Sequence, residues 1–458
     1  MSKRFLGFVL AAACATATIG AQSGNLRAGA ARVEITPPAN EFPFPLVHSG
    51  GMMPQYVGVH DPLYARALVV DDGSTQAAIV IVDVTEIPKS AEFQRTVAQA
   101  LGIPEANLIL AASHTHSEPT MYYHEGPMPG PPPAAPGAAP GGQNGAPPAP
   151  NPDQDAQWTR ELNRVIGGAA EAARQARAQM RPARVAFARG QGYVNVHDGE
   201  AGEGDPVGPS DKSLDVVRFD GVDGTPIALL IDFGVPGSTM LHNVTRDNGA
   251  EVGGDLLGTA AQLIEKQSTS APVTLFAPGA DGDQRPIFRS TPIAVGKLPS
   301  IKEGAAAWEM VDVLGSILAK EALTTADAMK PGVAEVKISA AARTVACPSQ
   351  RRTRDRATGK TTVEDGPAIQ IPLHVIRIGD IAVAGVGGSV GTVIGQKFKA
   401  ASPLAQSTMI GMNSGSAGYI LDDATYANPG QIKTGSLKPG CAENAVVQGL
   451  VEMIKAKP

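Results

Sequence analysis

Apolar residues along this chain occur in short runs, and two spacings alternate between polar or glycine-containing turns. Within 28–37, Val33 and Ile35 alternate with polar neighbours, the pattern of a half-buried strand. Runs 66–70 and 77–82 follow, separated by Asp71-Asp72-Gly73, which predicts a hairpin turn. The second run is apolar on both faces, as a central strand requires, and Asp83 sits at its end. Residues 90–101 repeat at helical spacing. Residues 107–112, entered through Gly102-Ile103-Pro104, predict a buried strand.

The stretch 126–152 is almost wholly Pro, Gly and Ala with Asn and Gln, so it cannot bury a core and reads as a disordered or polyproline-like insertion. Trp158, Leu162, Val165 and Ile166 then mark a helix to about Met180. Strands are predicted over 184–187, 215–219, 226–231, 273–276, 371–378, 381–386 and 408–411, and helices over 255–266, 303–322, 390–400 and 442–455. Hairpin-linked strands mixed with helices predict an α/β fold: a single large domain with mixed and antiparallel sheets flanked by helices. No short-period repeat is present, which argues against a solenoid or propeller.

At 458 residues the chain can bury a substantial core, and its net charge of −6 argues against a polyanion-binding surface. Without a basic patch interleaved with aromatics, no nucleic-acid partner is expected. Lys3-Arg4, the apolar stretch 5–13 and the small residues up to Ala21 predict a signal peptide over 1–21, hence export to the periplasm or medium. Cys14 after Leu10-Ala11-Ala12-Ala13 loosely resembles a lipoprotein cleavage site, which leaves lipid anchoring open. Cleavage near Ala21 leaves two cysteines, Cys347 and Cys441, which can form one structural disulfide in an exported protein.

Ser113-His114-Thr115-His116-Ser117 carries the strongest chemical signal. Side chains alternate along a strand, so His114 and His116 point to one side, roughly 6–7 Å apart at Cα, and continuing the alternation adds Glu118. Two such imidazoles can share a metal, or one can bind metal while the other handles a proton.

Several ordered segments resemble the catalytic domain of the neutral (alkaline, non-lysosomal) ceramidases. Residues 28–37 resemble its opening strand, and Val59-His60-Asp61-Pro62-Leu63-Tyr64-Ala65-Arg66 its next landmark. Ala112-Ser113-His114-Thr115-His116-Ser117-Glu118-Pro119 is similar to its metal-site motif, written Thr-His-Thr-His-Ser-Gly-Pro. Pro278-Gly279-Ala280-Asp281-Gly282-Asp283-Gln284-Arg285-Pro286 resembles its Gly-Asp-x-x-Pro loop, and Gly418-Tyr419-Ile420 its late Gly-Tyr element. The match runs from 28 to 458 and leaves the family's C-terminal accessory domain without a counterpart.

The resemblance implies zinc-dependent amide hydrolysis, with two histidines, a glutamate and a tyrosine as ligands. The first histidine falls on His114, the tyrosine on Tyr419, and His116 on the substrate-side histidine. The second histidine falls on Pro236, the glutamate on Ser389, and a serine near the Asp-x-x-Pro loop on Arg285. Replacement donors are His116, His242, Glu118 and Asp83, with Asp281 and Asp283 on the loop facing the expected pocket. The leading expectation is an exported zinc hydrolase cleaving an amide of a small or lipid-like substrate. His114, His242, Tyr419 and Glu118 would hold the metal, and His116 and Asp83 would act in catalysis. A lipid-like substrate leaves peripheral membrane contact open. The losses at Pro236, Ser389 and Arg285 motivate the alternative, a non-catalytic relative that binds a ligand or partner.

Overall fold

The computed structural model describes residues 24–44, 55–119, 152–199, 207–241, 249–267, 270–290, 306–354, 361–415, 417–427 and 436–456. The predicted signal peptide with Cys14, residues 126–151 of the Pro/Gly/Ala stretch and His242 lie outside the described residues.

One eight-stranded sheet has the order Val273–Pro278, Pro226–Phe233, Ser213–Gly221, Arg181–Gln191, Arg27–Glu34, Tyr64–Asp71, Gln76–Val82, Leu108–Ala112. Its two halves are joined by only two residue pairs, Arg27↔Pro182 and Ala28↔Arg181. This short seam lets the halves fold face to face: Leu68, Ile79 and Ile109 of one share a core with Phe219, Leu230 and Leu275 of the other. Helices Ser90–Leu101 and Pro152–Ala178 cover one outer face, and Asp255–Glu265 and Ala306–Asp327 the other. The layers are helix, sheet, sheet, helix.

This layering explains why the inner strands read as unbroken apolar runs. In Gln76–Val82, Ala78, Val80 and Val82 pack under the helices, while Ala77, Ile79 and Ile81 meet the facing half. Each face of the strand has its own core, so both parities must be apolar.

A second sheet is built from Ile338–Arg354, Thr361–Ile378, Ile381–Val386 and Gln406–Ile410. One face packs on helices Thr392–Ala401 and Ala442–Lys455. The other, through Ile338, Ile376, Val383 and Ile410, joins the inner core. Cys347 and Cys441 form a disulfide that ties the long hairpin to the last helix. Strand Ile338–Arg354 is absent from the sequence expectations: it contains Pro348 and four arginines, and its far half is a hairpin arm with too few apolar residues to mark a period. The fold class is the expected one, a single α/β domain with mixed sheets. Among the described residues no helix is long and apolar enough to cross a membrane.

Three parallel strand pairs, each spanned by a helix, orient the functional end of the molecule. They are Gln76–Val82 with Leu108–Ala112, Pro226–Phe233 with Val273–Pro278, and Ile381–Val386 with Gln406–Ile410. Ligand sites in α/β sheets gather at the carboxyl ends of such strands. Here those ends are knitted together by 411–414. Gly411 N–H donates to Pro278 O (2.9 Å), Met412 N–H to Gly388 O (3.0 Å), Asn413 N–H to Val386 O (3.1 Å) and Ser414 N–H to Leu110 O (2.7 Å).

Candidate active site

The histidine segment leaves its strand at Ala112, and His114 takes a left-handed backbone conformation, φ 59°. Strand alternation therefore does not extend through 114–118, and the expected placement of Glu118 by that rule fails. Glu118 is buried and accepts the Thr85 N–H at 3.0 Å. The backbone holds the segment instead: Ser113 N–H donates to Val82 O (2.8 Å), His116 N–H to Gly237 O (2.8 Å), and Gly253 N–H to Ser117 O (2.8 Å). Such anchoring maintains a conformation that β-carbon-bearing residues rarely adopt. A Cβ on Gly237 would lie 3.0 Å from Thr115 Cα and 3.1 Å from His114 O, so only glycine lets the turn back so closely onto the histidines.

The two imidazoles are still neighbours, with ring centroids 5.0 Å apart and planes tilted by 37°. His114 Nδ1 lies 2.6 Å from Asp281 Oδ2, and Ser389 Oγ donates to Asp281 Oδ1 at 2.9 Å. A carboxylate only accepts, so Nδ1 of His114 carries a proton, and in the neutral ring Nε2 presents its lone pair. Nε2 has no hydrogen-bond partner among the described residues. Burial, followed by the neighbouring His114 ring and the charge of Arg289, holds the His116 pKa well below the ordinary histidine value, which keeps this ring neutral. Tyr419, paired with Ser389 in a short parallel bridge, has its hydroxyl pKa raised by burial and then by Asp281 and Asp198, so it remains an O–H donor.

Asp281 reaches this place because Gly282 N–H donates to Val390 O (2.8 Å), pressing the loop against the Gly387–Val390 turn. A Cβ on Gly282 would come within 2.6 Å of Ser389 O. Asp283 is engaged away from the histidines. It accepts Thr392 N–H at 2.9 Å and Thr392 Oγ1–H at 2.7 Å, closing the start of helix Thr392–Ala401. Asp83 is likewise occupied elsewhere. Its Oδ2 accepts Tyr64 N–H (2.9 Å) and Arg66 Nη1–H (2.8 Å), and Arg66 is held in turn by Glu265. The buried trio Asp83, Arg66 and Glu265 binds the strands to helix Asp255–Glu265. Asp83, expected to act in catalysis, has its carboxylate turned to Arg66 in a buried ion pair.

Two further groups at this end carry no signal in the sequence pattern. Arg289 donates from Nη1 to Asp198 Oδ1 at 3.1 Å and from Nη2 to Ser238 Oγ at 3.4 Å. Ser238 follows Gly237, the carbonyl partner of His116. Arg285 is buried nearby, and burial, then Arg289, lowers its pKa. Neither Arg289 nor Asp198 belongs to a recognisable motif; their pairing is visible only in three dimensions.

Among the described residues no three His, Cys, Asp or Glu side chains gather so as to hold a metal ion. Pro236 offers no side-chain donor, Ser389 gives its hydroxyl to Asp281, both Asp281 oxygens are engaged, and Glu118 and Asp83 are bonded to other groups. The described residues alone thus do not gather the three protein ligands of a zinc site, and His242 lies outside them.

No family model matches the sequence, and no curated protein matches it. Solved structures do match. A ceramidase complexed with C2 aligns at TM-score 0.68 and 17% identity, over 94% of this chain and 74% of that one. Neutral ceramidase from Pseudomonas aeruginosa aligns at TM-score 0.66 and 16% identity, with the same coverage. The class is thereby defined: this is an α/β domain of neutral-ceramidase fold. The resemblance drawn from the ordered motifs is borne out at the level of fold.

Proposed function

We propose that the chain is a ceramidase-like hydrolase that cleaves an acyl amide of a lipid-like substrate, with His114 as general base. The observation that carries this reading is the buried 2.6 Å hydrogen bond between His114 Nδ1 and Asp281 Oδ2, at the shared end of three parallel strand pairs. A carboxylate behind an imidazole fixes its tautomer and stabilises the imidazolium that forms on taking a proton. In this scheme Nε2 removes a proton from water as the water oxygen bonds to the acyl carbon. The C–N bond then breaks, and the imidazolium returns the proton to the departing amine. Carboxylate and amine are the products. The Tyr419 hydroxyl is the donor available to the developing oxyanion.

The substrate class follows from the neighbours, which are ceramidases by name; ceramide is an N-acyl lipid. No step is assigned to zinc, because the described donors do not complete a site for it. Export is part of the proposal, supported by the leader sequence and by the disulfide, which persists in oxidising compartments.

Amine release from N-acyl ethanolamines and short-chain ceramides tests the reading. Wild type should turn over at least one of them, and His114→Ala should lose at least about 100-fold in kcat. A folded wild type that hydrolyses no amide or ester would overturn it in favour of a ligand-binding relative.

A further inference from the structure

Several arginines in this chain grip a carboxylate through one edge of the guanidinium, using Nε and Nη2 together, although Arg32, Arg164 and Arg343 use Nη1. Through the Nε–Nη2 edge Arg189 holds Asp215 at 2.6 and 3.1 Å, and Arg160 holds Glu41 at 2.8 and 2.9 Å. Such two-handed contacts match the planar fork of the guanidinium to two oxygens. Arg289, at the active site, does not use this edge for a carboxylate. Its Nη1 takes Asp198, its Nη2 has only the long 3.4 Å contact to Ser238 Oγ, and among the described residues its buried Nε has no partner. The side chain is only 10% exposed. A buried guanidinium N–H without an acceptor is costly unless a ligand supplies one.

The surroundings favour an anion there. Arg285, standing where the family resemblance expects a serine, brings a second buried guanidinium, while Asp198 supplies one carboxylate, itself 37% exposed. Arg285 and Asp198 are both electrostatic neighbours of this guanidinium. The location is set by Ser238, the residue after the Gly237 carbonyl that anchors His116.

We infer that the Nε–Nη2 edge of Arg289, with Arg285 behind it, receives an oxyanionic group of the substrate, a carboxylate or phosphate carried near the scissile acyl bond. This deepens the proposed hydrolase function and rests on it for the word substrate; the anion subsite stands on the arginine geometry alone. The preferred substrate is then an anionic N-acyl compound, such as an N-acyl amino acid, over a neutral one.

The test compares N-dodecanoylglycine, N-dodecanoylphosphoethanolamine and the neutral N-dodecanoylethanolamine. Wild type should favour at least one anionic compound by about 10- to 100-fold in kcat/KM, the range for one charge-assisted contact. Whichever anionic compound leads identifies carboxylate or phosphate as the anchored group. Arg289→Gln should level the preference and Arg289→Lys should retain part of it, with circular dichroism confirming that both fold. Equal or better turnover of the neutral compound would overturn the anion subsite while leaving the hydrolase reading intact. Calorimetric binding of the two anionic compounds to His114→Ala, lost on adding Arg289→Gln, would support the subsite even if wild type hydrolysed none of the three. No binding to His114→Ala and no anionic preference would overturn it.

Discussion

His114 and Asp281, 167 positions apart in the chain, are joined by a buried hydrogen bond of 2.6 Å. The same carboxylate accepts the hydroxyl of Ser389 at 2.9 Å, so both of its oxygens are committed within one small space.

Asp281→Asn should therefore damage function without removing bulk. An amide has only one acceptor oxygen, and its NH2 turned toward His114 would meet the Nδ1–H donor. The imidazole would lose its enforced tautomer, and kcat should fall by about 10²–10⁴-fold with KM little changed. Steady-state kinetics check this; an unchanged kcat would remove Asp281 from the mechanism.

Metal content gives a second expectation. After dialysis against zinc and removal of excess, elemental analysis should find well below one zinc per chain, and turnover should survive a chelator. One tightly held zinc with chelator-sensitive activity would mean that His242 completes the ligand set in place of Pro236.

The Arg66 cluster separates structure from catalysis. Asp83→Ala would leave a buried guanidinium short of one carboxylate, a change that destabilises proteins by about 3–5 kcal/mol. Denaturant unfolding should show that loss, while kcat per folded molecule should stay near wild type. A collapse of kcat in fully folded protein would restore a catalytic role to Asp83.

Asp232 predicts how stability depends on pH. Burial first, then repulsion from Asp215 and Asp211, raises its pKa to about 7 against the attraction of Lys399. Its surroundings also include Arg189, paired with Asp215, and the Thr408 hydroxyl. Between about pH 4 and 7 the folded chain holds a proton here that the unfolded chain has released. The contribution is thus full below the unfolded pKa and lost as pH rises through about 7. Asp232→Asn should flatten the decline in melting temperature between pH 5 and 7. An unaltered slope would assign the decline to other groups.

The double-sided strands were legible because burial on both faces forces apolar residues at both parities, as in Gln76–Val82. The closeness of His114 and His116 was also legible, but its expected cause was not. Alternation requires extended backbone, and the left-handed turn at His114 comes from contacts with Gly237 and Gly253 that local sequence does not encode. Asp281 read equally well as a turn former, since aspartate between glycines commonly shapes loops. Arg289 and Asp198 gave no signal: their pairing spans 91 residues and no spacing rule reaches that far.

The 411–414 clamp, finally, makes catalysis a late event in the life of the chain. His114 and Asp281 are both synthesised before the segment whose backbone binds Leu110, Pro278, Val386 and Gly388 into one frame. Until that segment emerges and docks, the two halves of the dyad lack the brace that fixes their separation. If the proposed reaction holds, activity would report completed assembly of the whole domain.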